Sequence, residues 1–400
     1  MQKENAEGRT ISVPACRTPL TYIENALPPV SLEVPPTELT KEEAAAMNTA
    51  IQYVGIDVHQ ATLVIAVLDA SGRTVLQSTV ATQRKAIEQA LRGLSGRVWV
   101  AFEEGTQAQW LYEVVSPLVE RVIVCNPRES RQGENKSDAI DARGLADKLR
   151  LNALKPVFHN SADVSTLKEL VRIYESLVND GTRSKLRLKA IFRGRAIDTP
   201  GDAVYAAETA VDLLKHLKDK GRAFRAKMLI EQIAKIDELR DQAYEAMVRE
   251  AKRHRAYKLL QGLPFFGPVR SAQLMAIIVT PFRFRSKRQL WKMSGLAVVT
   301  HSTSDRQIRD GKLVRNKRGP MTRGLNRNHN RTLKNVFMSA AHDASCRPGP
   351  LKILFEAMLA RGIAPEMAIL TLARKIVAYT LRLWKKGERF DPAKLTMSTS

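Results

Sequence analysis

The chain has 400 residues, 44% hydrophobic and 26% charged, and its 64 Lys and Arg against 41 Asp and Glu leave a formal charge of +23. These are globular proportions over a length that suits two or three domains, so a wholly disordered or collagen-like chain is excluded, and no apolar run approaches the ~18 residues of a membrane span. The excess of positive charge points to a polyanionic partner, most simply nucleic acid.

Residues 1–48 hold six of the 18 prolines and no lasting periodicity, and read as a flexible leader. The N-terminus has no basic stretch followed by an apolar core, so no secretory signal is expected. Cys16, Cys125 and Cys346 stand far apart in no zinc pattern, which fits a reducing cytoplasm.

From Tyr53 to Val58 runs a β-rich segment, and Ala61 to Leu68 is a second. Asp69-Ala70-Ser71-Gly72 is a turn by composition, and Arg73 to Thr79 a third strand, which makes an antiparallel meander. A helix over Arg84–Leu94, a strand over Arg97–Phe102, a helix over Ala108–Val119, a strand over Val122–Cys125 and a helix over Asp138–Arg150 follow. Meander, helix, strand, helix, strand, helix over residues 50–155 is the order of an RNase H-like α/β domain.

Residues 160–256 read as helical, with apolar stripes at Val164, Leu167, Leu170, Val171, Ile173 and Leu177, at Leu213, Leu214 and Leu217, and at Leu229, Ile230, Ile233, Ile236 and Leu239. Thr199-Pro200-Gly201 divides the run, so an antiparallel pair or coiled coil is expected. Residues 257–390 read as a second helical domain, with a turn at 262–268, a basic segment from His301 to Lys334, and helices over 351–360 and 364–385. In that domain Phe266 and Trp291 read as core residues.

The charge is not spread evenly. Residues 1–49 carry a net −3, residues 50–150 net zero, and residues 151–400 net +26. The polyanion is therefore expected to meet the C-terminal part.

The neutral part carries four carboxylates of interest. Asp57 stands inside the first strand among apolar residues, where an unpaired carboxylate is costly, so it is either hydrogen-bonded or a metal ligand. Alternation along the strand Val98–Phe102 places Glu103 with Trp99 and Ala101, away from Val98, Val100 and Phe102, which favours Glu103 over Glu104 as the neighbour of Asp57. Asp138 and Asp141 are i and i+3 on one helix face, where like charges repel unless a cation joins them, although Asp is also favoured at a helix start. Singly each is better read as structural. Together they suit a two-metal site, with Mg²⁺ (or Mn²⁺) clamping the oxygens of an in-line phosphoryl displacement. His59 is taken as structural, directed away from Asp57.

From 301 to 335 there are ten Lys or Arg and two Asp. Arg306, Arg309, Lys312, Arg315, Lys317, Arg318, Arg323 and Arg327 of this run, with Arg183, Lys185, Arg187 and Lys189 of the helical region, are the candidate nucleic-acid contacts. Ser302, beside the run, either contacts phosphate or is a nucleophile. The turn Gly262-Leu263-Pro264-Phe265-Phe266-Gly267-Pro268 resembles a helix-hairpin-helix, with Phe265 where a glycine is expected.

Tyr53-Val54-Gly55-Ile56-Asp57, Phe102-Glu103-Glu104-Gly105-Thr106, Lys136-Ser137-Asp138-Ala139-Ile140-Asp141-Ala142, and Leu260-Gln261-Gly262-Leu263-Pro264 through Gly295-Leu296 and Ser302 together resemble the DEDD transposases of bacterial insertion sequences, family one-ten and its relatives, over about residues 50–385. The resemblance implies a Holliday-junction-resolvase-like RNase H domain with the metal-binding tetrad Asp57, Glu103, Asp138 and Asp141. It implies a long helical coiled-coil linker and a helical C-terminal domain whose serine forms a covalent phosphoserine with DNA. It also implies a bridge RNA pairing with element ends and target, and a homo-oligomer that is tetrameric at synapsis. The chain departs from the family pattern where Val298 stands near an expected Pro and Ser302-Thr303-Ser304 replaces Ser-Gly, so Ser304 stays open beside Ser302.

Three other classes make different demands on these residues. A two-metal nuclease would need the tetrad and no serine, and a non-catalytic binding protein neither. An actin-like sugar kinase needs a Gly- and Thr-rich phosphate loop after the strand Asp, which Val58-His59-Gln60 does not supply.

Overall fold

The computed structural model describes residues 50–126, 137–159, 164–199, 201–301, 306–309, 311–315 and 321–391. The leader lies outside them. The described residues fall into two compact units, one of residues 50–102, 118–123 and 137–154, the other of 103–117, 124–126 and the chain from 155 onward.

The first unit is built on β1 (Ile51–Val58), β2 (Thr62–Leu68) and β3 (Thr74–Ala81), the expected meander. Asp69 makes its turn: the carboxylate accepts from Ser71 N at 2.8 Å and Arg73 N at 3.0 Å, and Gly72 takes a positive φ of 87°. Helix α1 (Arg84–Arg92) follows, and then β4 (Arg97–Glu103) lies parallel to β1 with Ile56 opposite Phe102. β5 (Arg121–Cys125) and α3 (Asp138–Arg150) follow, while α2 (Ala108–Val115) and β6 (Pro156–Val157) belong to the second unit. Within this unit the strands order as β3-β2-β1-β4-β5.

Helix α3 lies on the face of β1 that carries Tyr53, Gly55 and Asp57. Near its far end Leu149 packs with Tyr53, Trp99 and Ala101. In its middle a Cβ at Gly55 would sit 2.0 Å from Ala142 O and 2.6 Å from Ala146 N, so only glycine lets the helix backbone come this close. Ala142 also packs on Val64 and Ala66 of β2. The helix therefore runs antiparallel to β1 and brings its first turn to Asp57.

In the second unit α4 (Ser165–Arg193) and α6 (Lys220–Lys252) form an antiparallel pair. Tyr174 meets Tyr244 at 6.3 Å, Ser184 Oγ donates to Gln232 Oε1 at 3.3 Å, and Leu188 and Phe192 pack with Ala226 and Leu229. Two stripe positions differ from expectation, since Ile173 and Leu239 are exposed. Leu213 and Leu214 belong to a separate short helix, α5 (Ala207–Lys215), because Asp219 caps a fresh helix start by accepting from Arg222 N. The base of the pair (Leu167, Val171, Met247, Ala251) shares one core with α7 (Arg255–Gln261), α8 (Pro268–Ile278) and α9 (Lys287–Met293).

The region 257–390 is not wholly helical, which corrects the sequence expectation. β7 (Val298–His301) pairs antiparallel with β10 (Met321–Leu325), and β8 (Arg306–Arg309) with β9 (Lys312–Arg315). The signal was the turn: Asp310-Gly311 stands between two four-residue runs that hold the β-branched Ile308 and Val314, and Gly311 has the positive φ of 71° that such a hairpin turn demands. Helix α10 (Arg331–Cys346) then starts on an Asn330 cap, and α11 (Pro350–Ala360) and α12 (Pro365–Lys386) match the sequence reading closely. Phe266 is buried in this core, and Trp291 packs against it while donating Nε1–H to Arg374 O at 3.0 Å. Phe265 adopts φ 68°, the left-handed conformation expected of a glycine there, and Arg270 donates to its carbonyl at 2.7 Å. Among the described residues no helix is long and apolar enough to cross a membrane.

Candidate functional site

Asp57 is the second-last residue of β1, half-buried, with its side chain 21% exposed. It is not unpaired. His59 Nε2 donates to its Oδ2 at 3.0 Å, and the same nitrogen lies 3.3 Å from Asp138 Oδ2. The expectation that His59 points away from Asp57 is therefore wrong. Residues i and i+2 leaving a strand share a side, and the period of two was the signal for it. The turn that carries His59 is tied down: its N–H donates to Thr62 O and its carbonyl accepts from Thr82 Oγ1, both at 3.0 Å.

Asp138 is the first residue of α3, behind an N-cap Ser137 whose side chain accepts from Ile140 N at 3.3 Å. A negative charge here is favourable at a helix start, and the carboxylate also reaches the imidazole of His59 beside the end of β1. Asp57, His59 and Asp138 offer one ligand atom each, all within 4.8 Å of one another. Two carboxylate oxygens and an imidazole nitrogen suit a divalent cation, so the donor set passes the chemical test for a metal. Asp141 lies one turn along α3, half-buried, and outside this trio.

The two glutamates after β4 have different surroundings. Glu103 closes the strand, one residue beyond the Phe102–Ile56 pair, and is half-buried. Glu104 turns to the second unit's own residues. Its N–H donates to Cys125 O at 2.8 Å, and its carboxylate accepts from Nε2 of His159 at 2.6 Å. His159 is only 6% exposed, with Nδ1 3.0 Å from Gln109 Oε1. Lys168 stands nearby: burial first, then Arg172 and Arg283, push its ammonium below the usual lysine range, while Glu113 and Glu104 oppose them. His159 escaped sequence reading because 55 residues separate it from Glu104. His159→Ala is expected to cost about 0.5–3 kcal/mol, read by urea denaturation, because it removes a nearly buried ring that bonds Gln109 and packs on Tyr112.

Of the candidate nucleic-acid contacts on α4, Lys185 and Lys189 have partners within the protein. Both ammonium groups lie over the Tyr205 ring, at 5.3 and 4.9 Å, and Lys189 donates to Gly201 O. Arg183 and Arg187 are exposed, Arg183 beside Asp180. Lys312 on β9 and Arg327 are exposed too. Arg306, Arg309, Arg315 and Arg323 lie on strands β8, β9 and β10, with their side chains outside the described residues. Ser302, Ser304, Lys317 and Arg318 fall outside them entirely. β7 ends at His301, immediately before Ser302.

Residues 54–195 match the family DEDD_Tnp_IS110, described as a transposase, and residues 257–352 match the transposase IS116/IS110/IS902 family. The chain is also similar to the insertion element IS116 uncharacterized 44.8 kDa protein of Streptomyces clavuligerus, 26% identical over 312 residues that cover 66% of this chain and 74% of that protein.

Proposed function

We infer that this chain, which carries the two transposase domains of the IS110/IS116 family, is a DNA recombinase that excises and inserts its insertion sequence through a metal-holding DEDD tetrad and a nucleophilic serine. The observation that carries the reading is the meeting of Asp57 and Asp138, 81 positions apart in the chain, on one imidazole nitrogen. Asp57, Glu103, Asp138 and Asp141 would hold divalent ions, Mg²⁺ in the first instance with Mn²⁺ as the other candidate. Bound there, the ions would offset the charge that develops on the phosphate undergoing in-line displacement. The chain's residues do the rest. Asp57 and Asp138 present their oxygens from a strand end and a helix start, both anchored by backbone bonds. Ser302 is the proposed nucleophile: its Oγ forms a bond to phosphorus as one P–O bond to deoxyribose breaks, and the departing oxygen takes up a proton.

Lys312, Arg327, Arg183 and Arg187, with the other Arg and Lys of 301–335, are proposed to bind the phosphate backbone. The net +26 of residues 151–400 supports that assignment. Guidance by an element-encoded bridge RNA, a coiled-coil role for the α4–α6 pair, and assembly as a dimer that becomes a tetramer at synapsis belong to the same proposal.

Ser302→Ala is expected to abolish both excision and the covalent protein–DNA adduct on a suicide substrate, with Ser304→Ala keeping both. Full strand cleavage by Ser302→Ala without an adduct would favour a plain two-metal nuclease. The glutamates are separable as well. Glu103→Gln should lose cleavage, whereas Glu104→Gln, whose partner is His159, should retain at least about a third of it; the reverse pattern would move the ligand to Glu104.

A further inference from the structure

Resting on the metal reading above, we propose that His59 is itself a metal ligand, and that its nitrogen makes the Asp57–Asp138 position selective for a d-block divalent ion such as Mn²⁺ or Co²⁺ over Mg²⁺.

The tetrad expected from sequence is all oxygen. The described structure places an imidazole nitrogen between two of its oxygens, 3.0 Å from Asp57 Oδ2 and 3.3 Å from Asp138 Oδ2. Neighbouring donors on an octahedral ion, each ~2.1 Å from it, stand ~3.0 Å apart. The two nitrogen–oxygen distances are therefore already near the spacing of adjacent ligands on one ion, all three donor atoms lie within 4.8 Å of one another, and a cation can enter as the ring exchanges its hydrogen bonds for a coordinate bond. The ring is not on a loose loop. Thr62 O and Thr82 Oγ1 hold its backbone on both sides, and Asp57 is fixed in register with Val64 of β2. The opposite wall is α3, seated on Gly55 without an intervening side chain.

The chemical consequence follows from donor type. Mg²⁺ is a hard ion that takes oxygen ligands and keeps water, and it gains little from an imidazole. Ions along the Mn²⁺–Co²⁺–Ni²⁺ series gain progressively from nitrogen. His59 would thus set which metal occupies this position, while the carboxylates set that a metal binds at all.

The test uses the tag-free full chain, stripped with chelator. Wild-type protein loaded with one equivalent of Mn²⁺ should show ¹⁴N coupling to the ion in pulsed electron paramagnetic resonance. His59→Ala and His59→Gln should both lose that coupling. They should bind Co²⁺ about tenfold more weakly or worse by calorimetry, and bind Mg²⁺ within about threefold of wild type, with unchanged circular dichroism. Mn²⁺ bound without ¹⁴N coupling in wild type, or equal weakening of Mg²⁺ and Co²⁺ in both variants, overturns the proposal and reduces His59 to a hydrogen-bond partner. Asp57→Asn is the control that separates the two levels. If it binds all three ions like wild type, the metal reading itself falls. If it loses them while the His59 variants keep wild-type selectivity, only the role of His59 falls.

Discussion

Gly55→Ala is expected to destabilise the first unit by at least about 1–3 kcal/mol and to lose metal binding with it. The added methyl would meet Ala142 O at 2.0 Å and Ala146 N at 2.6 Å. Both are backbone atoms in the middle of a helix, so neither can swing aside as a side chain tip can. α3 has to lift off β1. Lifting it also withdraws Asp138, one turn before Ala142, from Asp57 and His59. Gly144, two residues along the same helix, is the matched control, because a Cβ there meets nothing within 4 Å. Gly144→Ala should leave metal binding unchanged and stabilise the unit by up to about 1 kcal/mol, since it removes the conformational freedom of a glycine inside a helix. Urea denaturation followed by circular dichroism, with metal titration on the same samples, reads both. A Gly55→Ala protein as stable as wild type would mean that α3 does not seat on β1 this way.

The second large effect belongs to Asp57. Asp57→Asn keeps the size of the side chain and an oxygen able to accept from His59, so the strand and its turn should persist with little change in unfolding. The negative charge is gone, and an amide is a poor metal ligand. Excision should fall by at least about 100-fold, because even outer partners of metal ligands typically carry 10–100-fold effects. The measurement is an excision assay with element ends, repeated over a range of Mg²⁺ and Mn²⁺. Excision above about a tenth of wild type at every metal concentration would remove Asp57 from the chemistry.

Much of the first unit was legible because its signals are local. The meander, the Asp69 turn and the helix at 138–150 each rest on residues within a few positions of one another. The same holds for the ends of α11 and α12. The hairpin β8–β9 was legible only through Asp310-Gly311, because its short, Arg- and Lys-rich strands show no alternation of apolar and polar residues. The partition of the helical stripe at 213–217 was missed because the cap at Asp219 is one residue, weaker than the apolar spacing that runs across it.

What the sequence determined by itself was the division of charge: an acid-bearing α/β segment with no net charge, followed by a strongly basic remainder. Composition and periodicity suffice for that, because charge and secondary structure depend on residue type and near neighbours. What only the tertiary structure decided was which acids meet, and on what. Asp57 and Asp138 are brought together by a helix crossing a strand at a glycine, His59 joins them through a turn anchored 23 residues away at Thr82, and Glu104 is drawn to His159, 55 residues on. Such meetings are settled by packing between distant segments, where a single missing Cβ sets how near two backbones may come, and no local pattern of residue types encodes that distance.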